Sequence, residues 1–407
     1  MRGEFADIVY DKCRGIMSEI LRPKNTSFFS VGFDLILVEK SLPYDLYVNS
    51  STNEAKEKFV RIFPMNGILN SEDITTFKKK YHQLYIPETQ RDMYLRSLVD
   101  CSGVADTLKT EIIKDSAIHY LDTIFDPTKE FSNEVLTETI SGCRDSVESM
   151  VDVIKDYDVK QVQSLIGDLS FHDFYTYDHS INVSMYCISM FKILRPNAAR
   201  EEMVLAGLGG LLHDLGKIKI PTHIINNAGK LDDEQFTIIK KHPKFGFDLL
   251  EGSEIDCPGV DFSIVKRIVH EHHENFDGTG YPAGLKGNDI HLLARVTAIA
   301  DFFDAITTKR SYHEALTPEE ALGVMSRSVG KKIDPKLFEL FSNNISKVVD
   351  RAHNKELPSD FDPCQPHDVL PFRQVAAKKQ QTDFFKKEEQ NFGKVAVDDG
   401  AKKKKAS

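Results

Sequence analysis

The sequence predicts a mainly α chain, in which a large all-helical core follows a small α+β domain and a helical linker. Three observations support this fold class. Apolar residues recur at helical spacing between about residues 160 and 345, as in Ile264, Val265, Ile268 and Val269. The stretch before this core contains long runs without proline or glycine, which is typical of helices. Short runs rich in β-branched and aromatic residues, which are typical of strands, occur before about residue 100.

The first segment, residues 1–102, is predicted to be the small α+β domain. An apolar spacing from Phe5 to Ile20 suits a short amphipathic helix, and Ser71 is the predicted N-cap of a second helix. A third helix is predicted at 88–98. The predicted strands are 33–38, 45–48, 58–63 and 83–86. No glycine-rich phosphate loop follows any of these strands, so we expect a sensory or regulatory domain.

Three segments follow this domain. Residues 103–158 are predicted to form the helical linker, which either carries signals between domains or pairs with a second subunit. Residues 159–350 form the predicted helical core. Residues 358–407 are rich in Pro, Lys, Gln and Asp and end in Lys402–Lys405, so we expect a disordered charged tail. The alternative for the tail is a contact with a nucleotide or a membrane.

The composition excludes several classes of protein. The formal net charge of -10 argues against a protein that wraps large nucleic acids, because such binding needs clustered Lys and Arg. The six cysteines contain no C-x-x-C pair, which fits a reducing compartment and not a disulfide framework. There is no run of eighteen apolar residues and no secretory signal, since the first residues are already charged. We therefore expect a cytoplasmic protein without a membrane span, which would need metal ions to neutralise an anionic substrate.

Histidines are concentrated in the predicted core, where nine of the fourteen fall between residues 172 and 291. Histidine is the commonest metal ligand, although a lone histidine on an apolar helix is usually a packed residue. His213 and Asp214 close an apolar helix that begins near Glu202. The two carboxylate oxygens of Asp214 can bridge two cations about 3.5–4 Å apart, as two-metal hydrolytic sites require. Lys217 is predicted to share the helix face of His213 and to hold a phosphate oxygen.

A second motif runs from His272 to Pro282 with the sequence His-His-Glu-Asn-Phe-Asp-Gly-Thr-Gly-Tyr-Pro. Two consecutive histidines on an ideal helix point about a hundred degrees apart, because each turn takes 3.6 residues. Both can reach one metal only near a helix end, where the backbone departs from regularity. Asp277-Gly278 and Gly280 predict such an end.

These motifs resemble the HD-GYP family, a branch of the HD-domain phosphohydrolases. The resemblance covers the predicted core and rests on five separated motifs in the order that the family has. They are Tyr177 to Val183 around His179, His213-Asp214, His242 to Gly246, His272 to Pro282, and Asp301-Phe302-Phe303-Asp304-Ala305 through Arg310-Ser311-Tyr312.

The resemblance implies an all-helical HD-domain catalytic core with a binuclear metal site. One metal would be held by His179, His213, Asp214 and Asp301, and the other by Asp214 as a bridge with His242, His272 and His273. Five imidazoles, two carboxylates and no thiolate favour iron or manganese over a structural zinc. We therefore predict two divalent metal ions, Fe or Mn, as the cofactors.

The resemblance also implies a phosphodiesterase that hydrolyses cyclic di-GMP to linear pGpG, GMP or both, in bacterial second-messenger signalling. A hydroxide that bridges the metals would attack phosphorus in line with the leaving ribose oxygen, and Asp214 and Lys217 would be the catalytic residues. The predicted substrate contacts are Lys217, Arg310, Tyr281, Gly280 and Asp277. The alternative for Tyr281 is a turn residue packed for stability. A homodimer and signalling protein partners are further expectations.

Two positions depart from the family pattern. Some members bind a third metal through a glutamate one helical turn before the first histidine, where this chain has Tyr175, and neither Asp173 nor Asp178 has the helical phase to replace it. We therefore predict two metals. His313 stands where a cationic residue often follows the tyrosine, which would weaken the phosphate contact. The histidines predicted not to bind metal are His172, His223, His270 and His291, of which His270 is the candidate to support a ligand.

Two other functions stay open at this level. An HD-type phosphohydrolase of another cyclic dinucleotide or nucleotide would use the same ligands, and only a panel of substrates would separate it from the first reading. A catalytically silent regulator that binds the nucleotide or a partner would be favoured by the loss of a ligand. Every expected ligand of the two-metal site is present in the sequence.

Overall fold

The structure, a computed structural model, is mainly helical with one small antiparallel sheet near the N-terminus, as the sequence predicted. The residues that it describes are 27–51, 57–101, 103–125, 131–170, 177–225, 231–253, 260–308 and 315–345. The predicted N-terminal helix and the predicted charged tail lie outside these residues.

The sheet of the α+β domain has four antiparallel strands in the order β1-β4-β2-β3. The strands are β1 (Phe28–Val31), β2 (Leu46–Asn49), β3 (Phe59–Phe63) and β4 (Leu84–Pro87). Three of the four predicted strands are confirmed within one residue. The strand predicted at 33–38 is wrong, because Phe33–Leu35 forms a 3-10 turn. The strand that completes the sheet is β1, which pairs with the fully buried β4, and this long-range pairing leaves no local signal.

Two helices of this domain lie where the sequence predicted helices. α1 (Ser71–Lys80) begins one residue after its N-cap, Asn70, which exchanges side-chain and backbone hydrogen bonds with Asp73. The predicted N-cap Ser71 is therefore the first helical residue. α2 (Arg91–Val99) follows a short 3-10 turn at Glu88–Gln90.

The predicted linker forms two long helices, α3 (Asp106–Phe125) and α4 (Asn133–Ile154), which pack along each other. α4 also packs against α2 of the α+β domain and against a helix of the core that contains residues 200–212. One apolar core runs continuously from Phe29 to Ile345. The linker helices therefore connect the sheet to the core by packing as well as by sequence, and the domain boundaries at 102 and 158 stay predictions.

The helical core contains ten described α-helices. They are α5 (Val159–Ser170), α6 (Asp178–Leu194), α7 (Arg200–Leu212), α8 (Thr222–Ile225), α9 (Asp233–Ile239), α10 (His242–Glu251), α11 (Phe262–Glu271), α12 (Leu292–Thr307), α13 (Pro318–Ser326) and α14 (Pro335–Ile345). The central helix is α6, whose first fourteen residues are all buried and which packs against α7 and α12. α11 packs against α7 and α10, so the ends of α7, α10 and α11 meet. No helix among the described residues combines the length and apolar character needed to cross a bilayer.

Candidate metal centre

Helix ends supply most of the polar groups at the centre of the core. His213 is the C-cap of α7 and is followed by Asp214, and His272 is the C-cap of α11 and is followed by His273. His179 and His242 stand at the starts of α6 and α10. Asp301 differs, because it lies within α12. A helix end beside His272 and His273 is therefore confirmed, although α11 ends at Glu271, before the predicted turn at Asp277-Gly278.

The structure brings all seven sequence-predicted metal residues together in two groups. In each group, the possible ligand atoms lie within 4.8 Å of one another. One group is His179, His213 and Asp301, and the other is Asp214, His242, His272 and His273. Histidine nitrogens and carboxylate oxygens suit zinc, iron and manganese, so the donor types fit divalent cations.

Asp214, a member of the second group, presents one carboxylate oxygen to its own group and the other to His213 of the first group. Its Oδ2 is 3.2 Å from Nε2 of His213, whereas its Oδ1 is 3.2 Å from Nε2 of His242 and 4.0 Å from Nε2 of His272. A carboxylate held in this way can bridge two neighbouring cations.

The ring orientation of three histidines is fixed by the backbone. Nδ1 of His213, of His242 and of His272 lies 2.7, 2.8 and 2.9 Å from a carbonyl oxygen three residues earlier. A carbonyl can only accept a hydrogen bond, so each Nδ1 must carry a proton and donate it. In the neutral ring, each Nε2 therefore holds a lone pair, which is the form that binds a metal.

Two contacts in the site would be unfavourable without a cation. Nε2 of His242 and Nε2 of His272 are 3.2 Å apart, so two nitrogen lone pairs face each other. Nε2 of His213 is buried and has no hydrogen-bond partner among the described residues, although Oδ2 of Asp214 is close. A buried polar atom in this state is costly, and coordination of a cation would satisfy all three nitrogens. The residues present therefore fit a metal site.

Burial and neighbouring charges favour the protonation states that metal ligands need. Burial, together with the adjacent imidazoles, holds the pKa of His272 well below its ordinary value and lowers the pKa of His273 to about 3. Burial would raise the pKa of Asp301, but the hydrogen bond and charge of His179 outweigh burial and lower this pKa. The pKa of Asp214 is lowered in the same way, against its burial, by His213 and Lys217. His272 and His273 are therefore neutral beside ionised carboxylates. Burial would lower the pKa of His213 as well, but the charges of Asp214 and Asp301 outweigh burial and raise this pKa.

The residue that supports His179 is Asp304, to which the sequence analysis gave no role. Nδ1 of His179 lies 2.7 Å from Oδ2 of Asp304, and the carboxylate also accepts hydrogen bonds from Asn182 and Thr308. Asp304 is completely buried. The signal in the sequence is the i, i+3 spacing of Asp301 and Asp304, which places both carboxylates on one face of α12.

The remaining histidines take other positions. His270, the predicted support, lies against the ring of Phe247 with the ring centroids 5.1 Å apart. His291 accepts a hydrogen bond from the backbone N–H of Leu293 at the start of α12, and His223 is exposed. His172, Asp173, Tyr175, Arg310 and His313 lie outside the described residues.

The structure places Lys217 at the site by a different route from the predicted one. α7 ends at Leu212, so Lys217 does not share a helix face with His213, and that prediction is wrong. Lys217 lies instead in a 3-10 turn, Leu215–Lys219, and its Nζ is 2.6 Å from Oδ2 of Asp214. The turn packs against α10 because Gly216 has no side chain: a Cβ there would lie 1.9 Å from the carbonyl oxygen of His242.

The loop after His273 folds over the second ligand group. The carboxylate of Glu274 accepts hydrogen bonds from the backbone N–H groups of Ala283, Gly284 and Leu285, at 2.6, 3.1 and 3.0 Å. The ring of Tyr281 stacks on the imidazole of His273, with ring centroids 4.9 Å apart and an angle of 28° between the planes. The loop therefore covers one face of a candidate ligand.

Two predicted substrate contacts have structural roles in this loop. Gly280 is packed so closely that a Cβ would lie 2.1 Å from the backbone nitrogen of Asn275. The carboxylate of Asp277 accepts hydrogen bonds from the N–H and hydroxyl of Thr279. Both residues shape the turn that carries Tyr281, and a role in substrate binding stays a prediction.

Comparison with known proteins identifies the core. Residues 168–337 match the family model described as the HD domain, so the chain contains an HD domain. A cyclic di-GMP phosphodiesterase of Pseudomonas aeruginosa is 41% identical over 170 residues, which are 42% of this chain and 39% of that protein. A 3'3'-cGAMP-specific phosphodiesterase of Vibrio cholerae is 36% identical over 162 residues, 40% of this chain and 30% of that protein.

Two further proteins are similar. A cyclic di-GMP phosphodiesterase response regulator of Xanthomonas campestris pv. campestris is 40% identical over 141 residues, 35% of this chain and 36% of that protein. A solved structure of an HDG"Y"P protein from Bdellovibrio bacteriovorus aligns with a TM-score of 0.48 at 20% identity, over 78% of this chain and 99% of that one. The chain spans between 30 and 39% of the length of the three curated relatives.

Proposed function

We propose that this chain is a metal-dependent phosphodiesterase that hydrolyses a cyclic dinucleotide, with cyclic di-GMP as the substrate. The single observation that carries the proposal is Asp214, whose two oxygens face two separate groups of buried ligands. Relatives of the same region that are named as cyclic di-GMP phosphodiesterases support the choice of substrate.

The proposed cofactors are two divalent cations, iron or manganese, held by the two ligand groups. When bound, such a pair acidifies a water molecule and neutralises charge on the phosphate. Asp214 would share its two oxygens between the cations. Lys217, which is buried beside Asp214, would hold a non-bridging phosphate oxygen and keep the scissile bond in place.

The proposed products are linear pGpG, GMP or both, and the proposed role of the α+β domain is regulation of the core. A dimer contact and contacts with signalling proteins are part of the same proposal. A second candidate substrate is 3'3'-cGAMP, because a relative named for that substrate is 36% identical to the same region.

The test combines metal analysis with a hydrolysis assay on the full chain purified without oxygen. We expect two equivalents of iron or manganese and turnover of cyclic di-GMP. Asp214→Asn should lower the rate about a thousandfold, because losing the bridge removes several kcal/mol of transition-state stabilisation. The matched control is Asp248→Asn, which removes an exposed carboxylate of α10 and should leave the rate unchanged.

Three results would contradict the proposal. One or three equivalents of metal would exclude a two-metal site. Two equivalents of metal without turnover of any cyclic dinucleotide would favour a silent binding protein. Faster turnover of 3'3'-cGAMP than of cyclic di-GMP would favour the second candidate.

A further inference from the structure

A pocket beside the metal ligands is built partly by the linker helix α3. The pocket and the solvent at its mouth together occupy about 450 Å³. Its polar lining includes Asp214 and Lys217. Its apolar lining includes Leu121 and Phe125, which belong to the last turn and a half of α3, and Tyr177, which precedes α6. Helix α3 lies outside the matched HD-domain region, so the family match does not include Leu121 and Phe125.

Phe125 and Tyr177 form an aromatic pair on this wall. Their ring centroids are 5.7 Å apart, with an angle of 44° between the ring planes. Tyr177 is buried, whereas Phe125 is half-buried and closes helix α3. The pocket therefore has two kinds of surface, an aromatic face and a charged face formed by the ammonium of Lys217 and the carboxylate of Asp214. A ligand that matches both has an anionic group joined to a flat, apolar ring.

We propose that this pocket binds one purine base of the cyclic dinucleotide, with Phe125 of α3 as the stacking surface. The inference rests on the proposed phosphodiesterase function, since the phosphate of the same molecule would lie at Lys217. A base stacked on an aromatic side chain is a common arrangement in nucleotide recognition, because every base has a π-face. Tyr177 lies two residues before the candidate ligand His179, so it connects the base site to the metal centre along the chain.

The proposal assigns a function to the linker helix. A shift of α3 relative to α6 would separate Phe125 from Tyr177 and change the shape of the base site. Substrate affinity would therefore depend on the position of α3, which packs along α4 and reaches the α+β domain through α4 and α2.

The test is steady-state hydrolysis of cyclic di-GMP by the metal-loaded full chain. Phe125→Leu keeps an apolar side chain but removes the ring, and Phe125→Ala removes most of the contact. We expect KM to rise about tenfold in both variants, because stacking of one base contributes about 1–3 kcal/mol, while kcat stays within about twofold. The control is Phe77→Ala in α1, which removes a partly buried ring of the α+β domain and should change neither constant.

The outcomes separate this inference from the proposed function. A wild-type chain that turns over no cyclic dinucleotide would overturn both. An active wild type with an unchanged KM in Phe125→Leu would overturn the stacking role alone, and so would a fall in kcat at constant KM. An equal rise of KM in Phe77→Ala would show a general effect of lost packing and would also overturn it. If Phe125→Ala is too unstable to assay, Phe125→Leu decides.

Discussion

Replacing Asp304 with asparagine is expected to weaken the binding of one metal ion and to leave the other unchanged. Asp304 contacts one candidate ligand, His179, and it lies on the far side of that imidazole from Asp301. The substituted amide could still accept the Nδ1 proton through its side-chain oxygen, so the tautomer of His179 would survive. The negative charge that makes Nε2 of the imidazole a better electron-pair donor to a metal would be lost.

The size of the effect follows from what the carboxylate does in the structure. Loss of a carboxylate behind a metal-binding histidine typically lowers metal affinity 10- to 100-fold, or about 1.4–2.7 kcal/mol. We expect the lower half of this range, because the amide keeps one hydrogen bond to His179. The substituted side chain would also turn an N–H₂ group toward Asn182 or Thr308, where the wild-type carboxylate accepts two hydrogen bonds. That mismatch should lower the free energy of unfolding by about 1 kcal/mol.

The assay is a titration of the metal-free chain with Mn²⁺, followed calorimetrically. Wild type should show two sites, and Asp304→Asn should weaken one of them about tenfold. Thr308→Val is the control, since it removes one hydrogen bond to Asp304 and preserves the carboxylate and its contact with His179. Unchanged affinities in Asp304→Asn, or an equal loss at both sites, would refute the reasoning.

Three further predictions concern the rest of the fold. Lys114→Met should lower the free energy of unfolding in urea by about 3 kcal/mol, since it removes the lysine whose Nζ lies 2.9 Å from the buried carboxylate of Asp178. Lys109→Met should cost only about 1 kcal/mol, because the side chain of its acidic partner, Asp106, is 43% exposed. Equal losses would contradict the argument. Burial and neighbouring acids raise the pKa of Asp145 to about 6, so its ionisation destabilises the fold as pH rises from 3.8 through 6. As pH rises from 3.5 to 7.5, the free energy of unfolding of Asp145→Asn should therefore increase by about 1–2 kcal/mol relative to that of wild type, after allowance for solvent screening. A difference in stability that does not change with pH would exclude this cause. Glu274→Gln replaces the acceptor of three backbone hydrogen bonds, so hydrogen exchange at residues 283–285 should accelerate about tenfold or more, and unchanged protection would show that the loop is held elsewhere.

The sequence was informative where chemistry and local structure coincide. A helix end near His272 and His273 could be predicted from the turn residues Asp277-Gly278 that follow, because such residues are rare inside helices. The helix ends earlier, at Glu271, so these turn residues do not form its cap. The position of Lys217 could not be predicted, because it depends on Gly216 touching the carbonyl of His242, a contact between distant segments. Spacing alone suggested a continuous helix.

The missed strand and the missed support of His179 have the same cause. β1 forms because Phe29 lies opposite Ile86 across the sheet, 57 residues along the chain, whereas residues 33–38 have the stronger local strand pattern. Asp304 supports His179 across 125 residues. Local propensity measures neither contact. The carboxylate pair Asp301 and Asp304 was visible as a spacing, but only the packing of α6 on α12 shows which carboxylate faces which nitrogen of the ring.

The bonds that orient the candidate ligands also cap helices. Gly210 and Val269 lie in the last turns of α7 and α11, where carbonyl groups have no partner within the helix. The Nδ1–H groups of His213 and His272 donate to these two carbonyls. Each bond stabilises a helix end and, because it fixes the tautomer, turns the lone pair of Nε2 into the site. A histidine at a helix C-terminus is therefore oriented as a candidate metal ligand by the fold itself. A substitution there should weaken the fold of the metal-free protein as well as the proposed metal site.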